Sequence, residues 1–243
     1  MRRLALLAGA LVLVAGPTAA QTLPPDLAAS LGDGSLAGRA VQLFLLVTVL
    51  GLVPGLLLMA TCFPFIVTVL SILRQGIGLQ QAPPNMLIVS LALFLTWFVM
   101  DPVLTEAWTK GIEPLTAGLI TPEQAIPAAL APFRAFMAGR LNPETLTALQ
   151  ALRPGTVAVA PPDAPLSLLV PSFILSEIQR AFEIGFLVYL PFLIIDLVAS
   201  AVLMSMGMMM VSPAVVSLPF KLAFFVVADG WTLISGALVR SYM

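Results

Sequence analysis

The stretch from Ala40 to Leu73 reads AVQLFLLVTVLGLVPGLLLMATCFPFIVTVLSIL, and none of its 34 residues carries a charge. After Arg74 the chain is uncharged again from Gln75 to Met100. A helix needs about 20 apolar residues to cross a bilayer, so each run is long enough for a helix at membrane depth. The sequence therefore predicts a first helical hairpin over residues 40–100, with its turn between Arg74 and Pro84.

The composition of the whole chain indicates the same class of protein. Charged residues make up 9% of the 243 residues and hydrophobic residues 60%, whereas a soluble globular chain has roughly 25% charged residues. So few charges cannot cover the surface of a water-soluble domain, and much of the chain must face lipid or other apolar protein surface. The net charge of −1 provides no basic surface for nucleic acid.

The residue types that usually carry catalysis are scarce. The sequence contains no histidine and one cysteine, Cys62, which lies in an apolar run. It also lacks the G-x-x-x-x-G-K-[ST] loop that holds nucleotide phosphates. The sequence therefore predicts a protein that is not an enzyme, with no catalytic residue, no metal site and no cofactor.

The first twenty residues have the three parts of a secretory signal. Arg2 and Arg3 precede an apolar stretch from Leu4 to Ala15, and small residues then lead to a predicted cleavage site after Ala20. We expect residues 1–20 to be a cleaved signal peptide and residues 21–39 to be an exported N-terminal tail.

The composition changes between Asp101 and Pro165, where 10 charged residues and 10 prolines occur. Residues 101–165 are therefore predicted to form a water-facing insert. Thr121-Pro-Glu-Gln and Asn142-Pro-Glu are typical helix starts, with a capping residue followed by proline. The insert should accordingly contain two short helices.

The region from 166 to 243 is again apolar, but charged residues interrupt it, and five of them indicate which contacts the region must make. They are Glu177, Arg180, Asp196, Lys221 and Asp229. A charged group at the centre of a bilayer costs about 2.5–3.5 kcal/mol on insertion scales, and such groups usually find partners. We expect ion pairs within or between chains. For Lys221, a position at the bilayer edge is an equal alternative.

A methionine cluster lies in the same region. The sequence Met204-Ser-Met-Gly-Met-Met-Met210 places five of the eleven methionines within seven residues, just before Pro213. Methionine is apolar and deformable, so a ring of such loops could seal a pore around a passing chain. Filling gaps at a helix end is the simpler alternative. Further helix breaks are expected at Pro83, Pro84, Pro191 and Pro213.

Several long motifs resemble the FliP family (FliP/SctR) of type III secretion export gates. They are Leu73-Arg-Gln-Gly-Ile-Gly-Leu-Gln-Gln-Ala-Pro-Pro-Asn85, Leu91-Ala-Leu-Phe-Leu-Thr96, Pro132-Phe-Arg-Ala-Phe-Met137, Pro191-Phe-Leu-Ile-Ile-Asp196, Met204–Met210, Leu218-Pro-Phe-Lys-Leu222 and Asp229-Gly-Trp231, together with segments between Ser176 and Phe186. The signal peptide favours the flagellar branch. The equivalent subunit of a virulence secretion system remains an alternative.

The resemblance implies a channel-forming subunit of the flagellar export gate in the inner membrane of the flagellar basal body. A ring of five copies with FliQ, FliR and other export proteins would pass unfolded flagellar substrates, with the insert on the periplasmic side. Met206, Met208, Met209 and Met210 would form the pore gasket. Glu177, Arg180, Asp196, Lys221 and Asp229 would lie in subunit contacts or near the channel.

The sequence departs from the family pattern at Pro64-Phe65, where relatives usually have Thr-Arg, and at Glu183, where they usually have Gln. The expected fold is an all-α membrane protein of broken helical hairpins, with about four membrane-depth helices and a polar helical insert, assembled into a ring. The alternative function is a small-solute or ion transporter that uses Asp196, Lys221 and Asp229.

Overall fold

The computed structural model describes residues 35–79, 82–153, 159–208 and 210–243. The predicted signal peptide, residues 1–20, and most of the predicted tail, residues 21–39, therefore lie outside the described residues. The chain divides into two compact units, residues 1–53 and residues 54–243. Helix α1 (Ser35–Met59) begins in the first unit, whose described part is the stretch 35–53.

The long uncharged run divides between α1 and a second helix, α2 (Phe63–Ile77), which is followed by α3 (Asn85–Ala107). Pro64 lies in the first turn of α2, where its missing N–H would have no partner in any case. Gly78 ends the helix with a left-handed φ of 87°. The turn to α3 is therefore made by residues just after Arg74, as the sequence predicts.

The start of α3 is linked to the end of α2 by a side-chain contact. Asn85 is the first helical residue of α3, and Pro84 occupies the capping position. The Asn85 side chain accepts a hydrogen bond from Nη1 of Arg74. Arg74 Nη1 also lies 3.5 Å from the carbonyl oxygen of Pro83. The cation thus joins the two sides of the turn.

The insert is helical. Beyond α3 the chain makes a π-helical turn (Trp108–Ile112) and the short helix α4 (Glu113–Thr116). The two longer helices are α5 (Pro122–Arg140) and α6 (Pro143–Ala151), and a 3-10 turn follows at Pro161–Asp163. The Oδ1 of Asn142 accepts a 2.9 Å hydrogen bond from the N–H of Glu144, which is the capping contact that the sequence favours.

Three helices complete the chain: α7 (Leu166–Ser205), α8 (Pro213–Val227) and α9 (Gly230–Arg240). The predicted break at Pro191 is wrong, because Pro191 lies inside the continuous helix α7. A proline removes one N–H donor and crowds the preceding turn, but packing on a neighbouring helix can carry a helix through such a site. Here Phe192 packs against Gly76 of α2.

Within the described residues, the protein contains helices and no strand. Two helical stretches, Asn85–Thr116 and Leu166–Ser205, are long and apolar enough to cross a membrane. A third span results if α8 and α9, which meet at an angle of 61°, count as one. The protein is therefore an all-α membrane protein, and the expected number of about four membrane-depth helices stays a prediction.

The core of residues 54–243 forms where α2 lies along α7. The close approach depends on Gly185, since a Cβ atom there would lie 2.4 Å from Cδ1 of Ile72. The largest buried side chains around this contact include Phe65, Leu70 and Leu73 of α2. A second apolar cluster joins Met137 of α5 to Phe173 of α7 and thereby attaches the insert.

Candidate functional site

The methionine-rich segment forms the bend between α7 and α8. Helix α7 ends at Ser205 with Gly207 in a left-handed conformation, φ 72°. The N–H of Met208 donates to the carbonyl oxygen of Leu203 at 3.0 Å, and that of Gly207 donates to Met204 at 3.0 Å. This pair of bonds is a Schellman motif. It satisfies the last carbonyls of α7 and turns the chain sharply.

The methionine side chains at this bend point away from the protein's own core. The exposed fraction is 67% for Met206, 42% for Met208 and 100% for Met210, while Met209 lies outside the described residues. In this chain they therefore do not fill a gap in the packing. They form a flexible, polarisable apolar surface, which can adapt to partners of different shape.

A groove of about 480 Å³ separates α7 from α8 next to this bend. Its lining is apolar and comes from both helices, with Ile194, Val198, Val202 and Met206 on one side and Val216 and Phe220 on the other. The groove extends along α7 from Met206 to Ile194, so it runs beside Asp196 as well as beside the methionines.

Asp196 and Lys221 form an ion pair between α7 and α8. The Nζ of Lys221 donates to Oδ2 of Asp196 at 2.6 Å, and the hydroxyl of Ser217 donates to Oδ1 at 2.6 Å. Both carboxylate oxygens therefore have a donor. The Lys221 side chain is only 7% exposed, so Lys221 is buried rather than placed at a solvated edge.

Lys221 also binds the end of a third helix. Its Nζ donates to the carbonyl oxygen of Gly76 at 3.0 Å, in the last turn of α2. Carbonyls at a helix C-terminus lack intrahelical partners and carry partial negative charge, so a cation is favourable there. One ammonium group thus joins α2, α7 and α8.

Glu177 is the centre of a second charged cluster, at the insert end of α7. Its side chain is fully buried, and Oε1 lies 3.6 Å from Nε of Arg140 and 3.6 Å from Nη1 of Arg180. These are ion-pair distances and are too long for hydrogen bonds. The hydroxyl of Tyr242 donates to Oε2. Glu177 therefore has one charge partner in the insert, one in its own helix and a hydrogen-bond donor beyond α9.

Asp229 differs from the other four charged residues, because it is exposed and forms no ion pair among the described residues. It lies at the bend between α8 and α9 with a φ of 46°. The next residue, Gly230, lies so close to Phe225 that a Cβ there would be 2.1 Å from the ring. The backbone of Asp229 thus makes the turn while its carboxylate remains accessible.

The remaining predicted helix breaks lie at three prolines. Pro83 and Pro84 lie between α2 and α3, and Pro213 is the first residue of α8.

Sequence reasoning missed four participants in these clusters: Arg140, Tyr242, Ser217 and Gly76. The participation of Ser217 could have been inferred from the sequence, because it precedes Lys221 by four residues and residues at that spacing share a helix face. The other three come from distant segments, and Gly76 contributes only a backbone oxygen. No local pattern marks such contacts.

Comparison with known proteins decides the family. A model of the FliP family matches residues 46–238. The chain belongs to the FliP family. It is 45% identical to the flagellar biosynthetic protein FliP of Agrobacterium fabrum, over 96% of each chain.

Other FliP proteins show the same extent of similarity. The FliP of Rhizobium meliloti is 44% identical over the full length of both chains, and that of Caulobacter vibrioides is 48% identical over 88% of this chain and 80% of its own. The FliP match covers α2 through most of α9, so it includes the Asp196–Lys221 pair, Glu177 with its two arginines and the methionine bend, while Tyr242 lies beyond it. The protein is a structural protein of this family and not an enzyme.

Proposed function

We propose that this protein is a channel-forming subunit of the flagellar type III protein export gate. In the proposed assembly, a ring of five copies with FliQ and FliR lies in the inner membrane at the flagellar basal body. It passes unfolded flagellar proteins, delivered by other export proteins, out of the cytoplasm. The methionine bend of each copy contributes to a gasket that closes the channel.

The observation that carries the proposal is the exposure of the methionine bend. Met206 and Met210 are 67% and 100% exposed although they are apolar; Met206 lies within the Schellman turn and Met210 follows it. A surface of this kind lowers its free energy when other apolar groups cover it. Equivalent bends in a ring would cover one another, and their flexible side chains would yield to a passing chain of varied sequence.

The length of α7 supports the proposed separation of the insert from the methionine bend along the membrane normal. Its 40 residues span about 60 Å, which is twice the roughly 30 Å of a bilayer core. The insert lies at the N-terminal end of α7 and the methionine bend at the other. In the proposal the insert is periplasmic, and the bend closes the channel from deep within the assembly.

The apolar outer face of α7 supports a partner-covered assembly. Phe182, Phe186, Leu187 and Leu197 are between 58% and 63% exposed. These side chains need lipid or protein neighbours. FliQ, FliR and further copies of the chain supply them in the proposal, and lipid covers what remains.

The charged residues do not favour the transporter alternative. Asp196 and Lys221 neutralise each other, and Asp229 lies apart at an exposed bend. A transporter site requires polar groups that converge on a cavity, whereas the groove beside α7 and α8 is lined by apolar side chains.

The test is a leakage measurement in cells that carry Met208→Ala, Met209→Ala and Met210→Ala together. We expect faster entry of small ions and solutes while the complex still assembles at the normal level. The matched control replaces three exposed methionines elsewhere, Met59, Met86 and Met243, with alanine. Ions and small solutes should enter these cells no faster than they enter cells with the native protein.

Two results would contradict the proposal. One is a membrane as tight with the triple bend variant as with the native protein, in cells whose complex is intact. The other is a purified assembly whose mass corresponds to a single copy without partners. The mass measurement also separates a gate from a monomeric transporter.

A further inference from the structure

Tyr242, which follows α9, touches three other segments of the protein. Its ring lies edge-on to Phe65 of α2 with a centroid distance of 5.5 Å, and it stacks on Phe136 of α5 at 6.1 Å. The guanidinium carbon of Arg140 lies 4.0 Å from the ring centroid, which is a cation–π contact. The neighbouring carbonyl oxygen of Ser241 accepts a 2.7 Å hydrogen bond from Nη1 of Arg140.

The hydroxyl of Tyr242 binds the carboxylate of Glu177. Among the described residues it is the only hydrogen-bond donor to that carboxylate, since Oε1 has charge partners at 3.6 Å and no hydrogen bond. A buried carboxylate without hydrogen bonds is costly. Burial raises the pKa of Tyr242 well above its ordinary value, so the phenol keeps the proton that it donates.

The guanidinium of Arg140 also lacks hydrogen bonds. Its Nε and Nη2 atoms are buried and have no hydrogen-bond partner among the described residues. The ring of Tyr242 and the carbonyl oxygen of Ser241 therefore supply much of the stabilisation of its charge. Arg140 is the last residue of α5 in the insert, and Glu177 belongs to the membrane-depth helix α7. Tyr242 therefore stabilises a fully buried carboxylate and a partly buried guanidinium that belong to different parts of the fold.

We propose that Tyr242 is a positioning residue that holds the end of the insert helix α5 against the membrane-depth helices. Its ring holds Arg140, its hydroxyl holds Glu177, and the two contacts together fix the distance between α5 and α7. Loss of the hydroxyl leaves the buried Glu177 carboxylate without a hydrogen bond, and the end of α5 loosens.

The experiment is amide hydrogen exchange, measured by mass spectrometry on the full-length protein in its purified complex. Tyr242→Phe keeps the ring and removes the hydroxyl, so the variant should still fold. We expect exchange in residues 133–140 to rise about tenfold, with less than a twofold change in α3. The matched control is Tyr189→Phe at the chain's other tyrosine, which should leave residues 133–140 unchanged.

A double variant separates the hydrogen bond from general destabilisation. In a Glu177→Gln background the carboxylate charge is absent, so Tyr242→Phe should raise the exchange of residues 133–140 by no more than about twofold. Equal increases in both backgrounds would overturn the proposal. So would native exchange in Tyr242→Phe, or a uniform increase along the whole chain.

Discussion

The ammonium group of Lys221 lies 2.6 Å from Oδ2 of Asp196, which is 25 residues away in the sequence. The same ammonium group donates a hydrogen bond to the carbonyl oxygen of Gly76 at 3.0 Å, so it also holds the end of α2 in place. The pair therefore joins α7 to α8, and both helices to the last turn of α2.

Replacement of one member of this pair should be much more harmful than replacement of both. Asp196→Ala leaves Lys221 buried without its counter-charge, and we expect a loss of about 3 kcal/mol in unfolding free energy and a lower yield of assembled complex. The double variant Asp196→Leu with Lys221→Met should recover most of that loss. Thermal unfolding of the purified protein in detergent measures both.

The control for this comparison is Glu123→Ala, at an exposed residue of the insert, which should unfold as the native protein does. A native level of intact complex in the Asp196→Ala variant would contradict a structural role for the pair. A double variant no better than the single one would also contradict it.

Ser217 should contribute a smaller and separable part of the same contact. Ser217→Ala removes the 2.6 Å hydrogen bond to Oδ1 of Asp196 and should cost about 1.5 kcal/mol. Ser200→Ala is the matched control, because the Ser200 hydroxyl binds only the backbone oxygen of Asp196. If the two variants unfold at the same temperature, the carboxylate does not depend on Ser217.

Gly111 should not tolerate a side chain. A Cβ atom at this position of the π-helical turn would lie 2.5 Å from Cβ and 2.8 Å from Cα of Ala129 in α5. Gly111→Ala should therefore destabilise the insert by about 1–3 kcal/mol. Gly139→Ala is the control, since nothing lies within 4 Å of its added Cβ, and helix propensity predicts a neutral or slightly stabilising effect.

Unfolding measurements on this pair decide the point. Equal stabilities for Gly111→Ala and Gly139→Ala would show that the contact between the π-helical turn and α5 adapts without cost.

Cys62 should resist thiol reagents in the folded protein. Its side chain is fully buried. Because a maleimide must reach the sulfur to react, labelling at pH 7 should be slow in the folded protein and should accelerate as the protein unfolds. Mass spectrometry after timed exposure follows the reaction.

Rapid and complete labelling of Cys62 at pH 7 in folded protein would mean that the contact between α2 and its neighbours opens readily. Labelling in denaturant provides the reference rate. Because the sequence contains no other cysteine, every label can be assigned to Cys62.

Local chemistry made the helices and several of their ends predictable. Asn142 caps α6 and Pro213 begins α8 because capping and the missing proline N–H act within one turn of the chain. Pro191 was mispredicted for the complementary reason. Whether a proline ends a helix depends on the packing around it, and here Phe192 against Gly76 keeps α7 continuous.

The sequence by itself determined that this is a helical membrane protein with a polar insert, because low charge and long apolar runs fix the surroundings that a chain can tolerate. It also indicated that the charges in the last third need partners. Only the tertiary structure decided which partners they have. Asp196 pairs with Lys221, while Glu177 meets Arg140 and Tyr242, because the packed helices bring distant residues together: the Arg140–Ser241 contact joins positions 101 apart and the Lys221–Gly76 contact positions 145 apart. Such contacts follow from helix packing, to which each local segment contributes only a part.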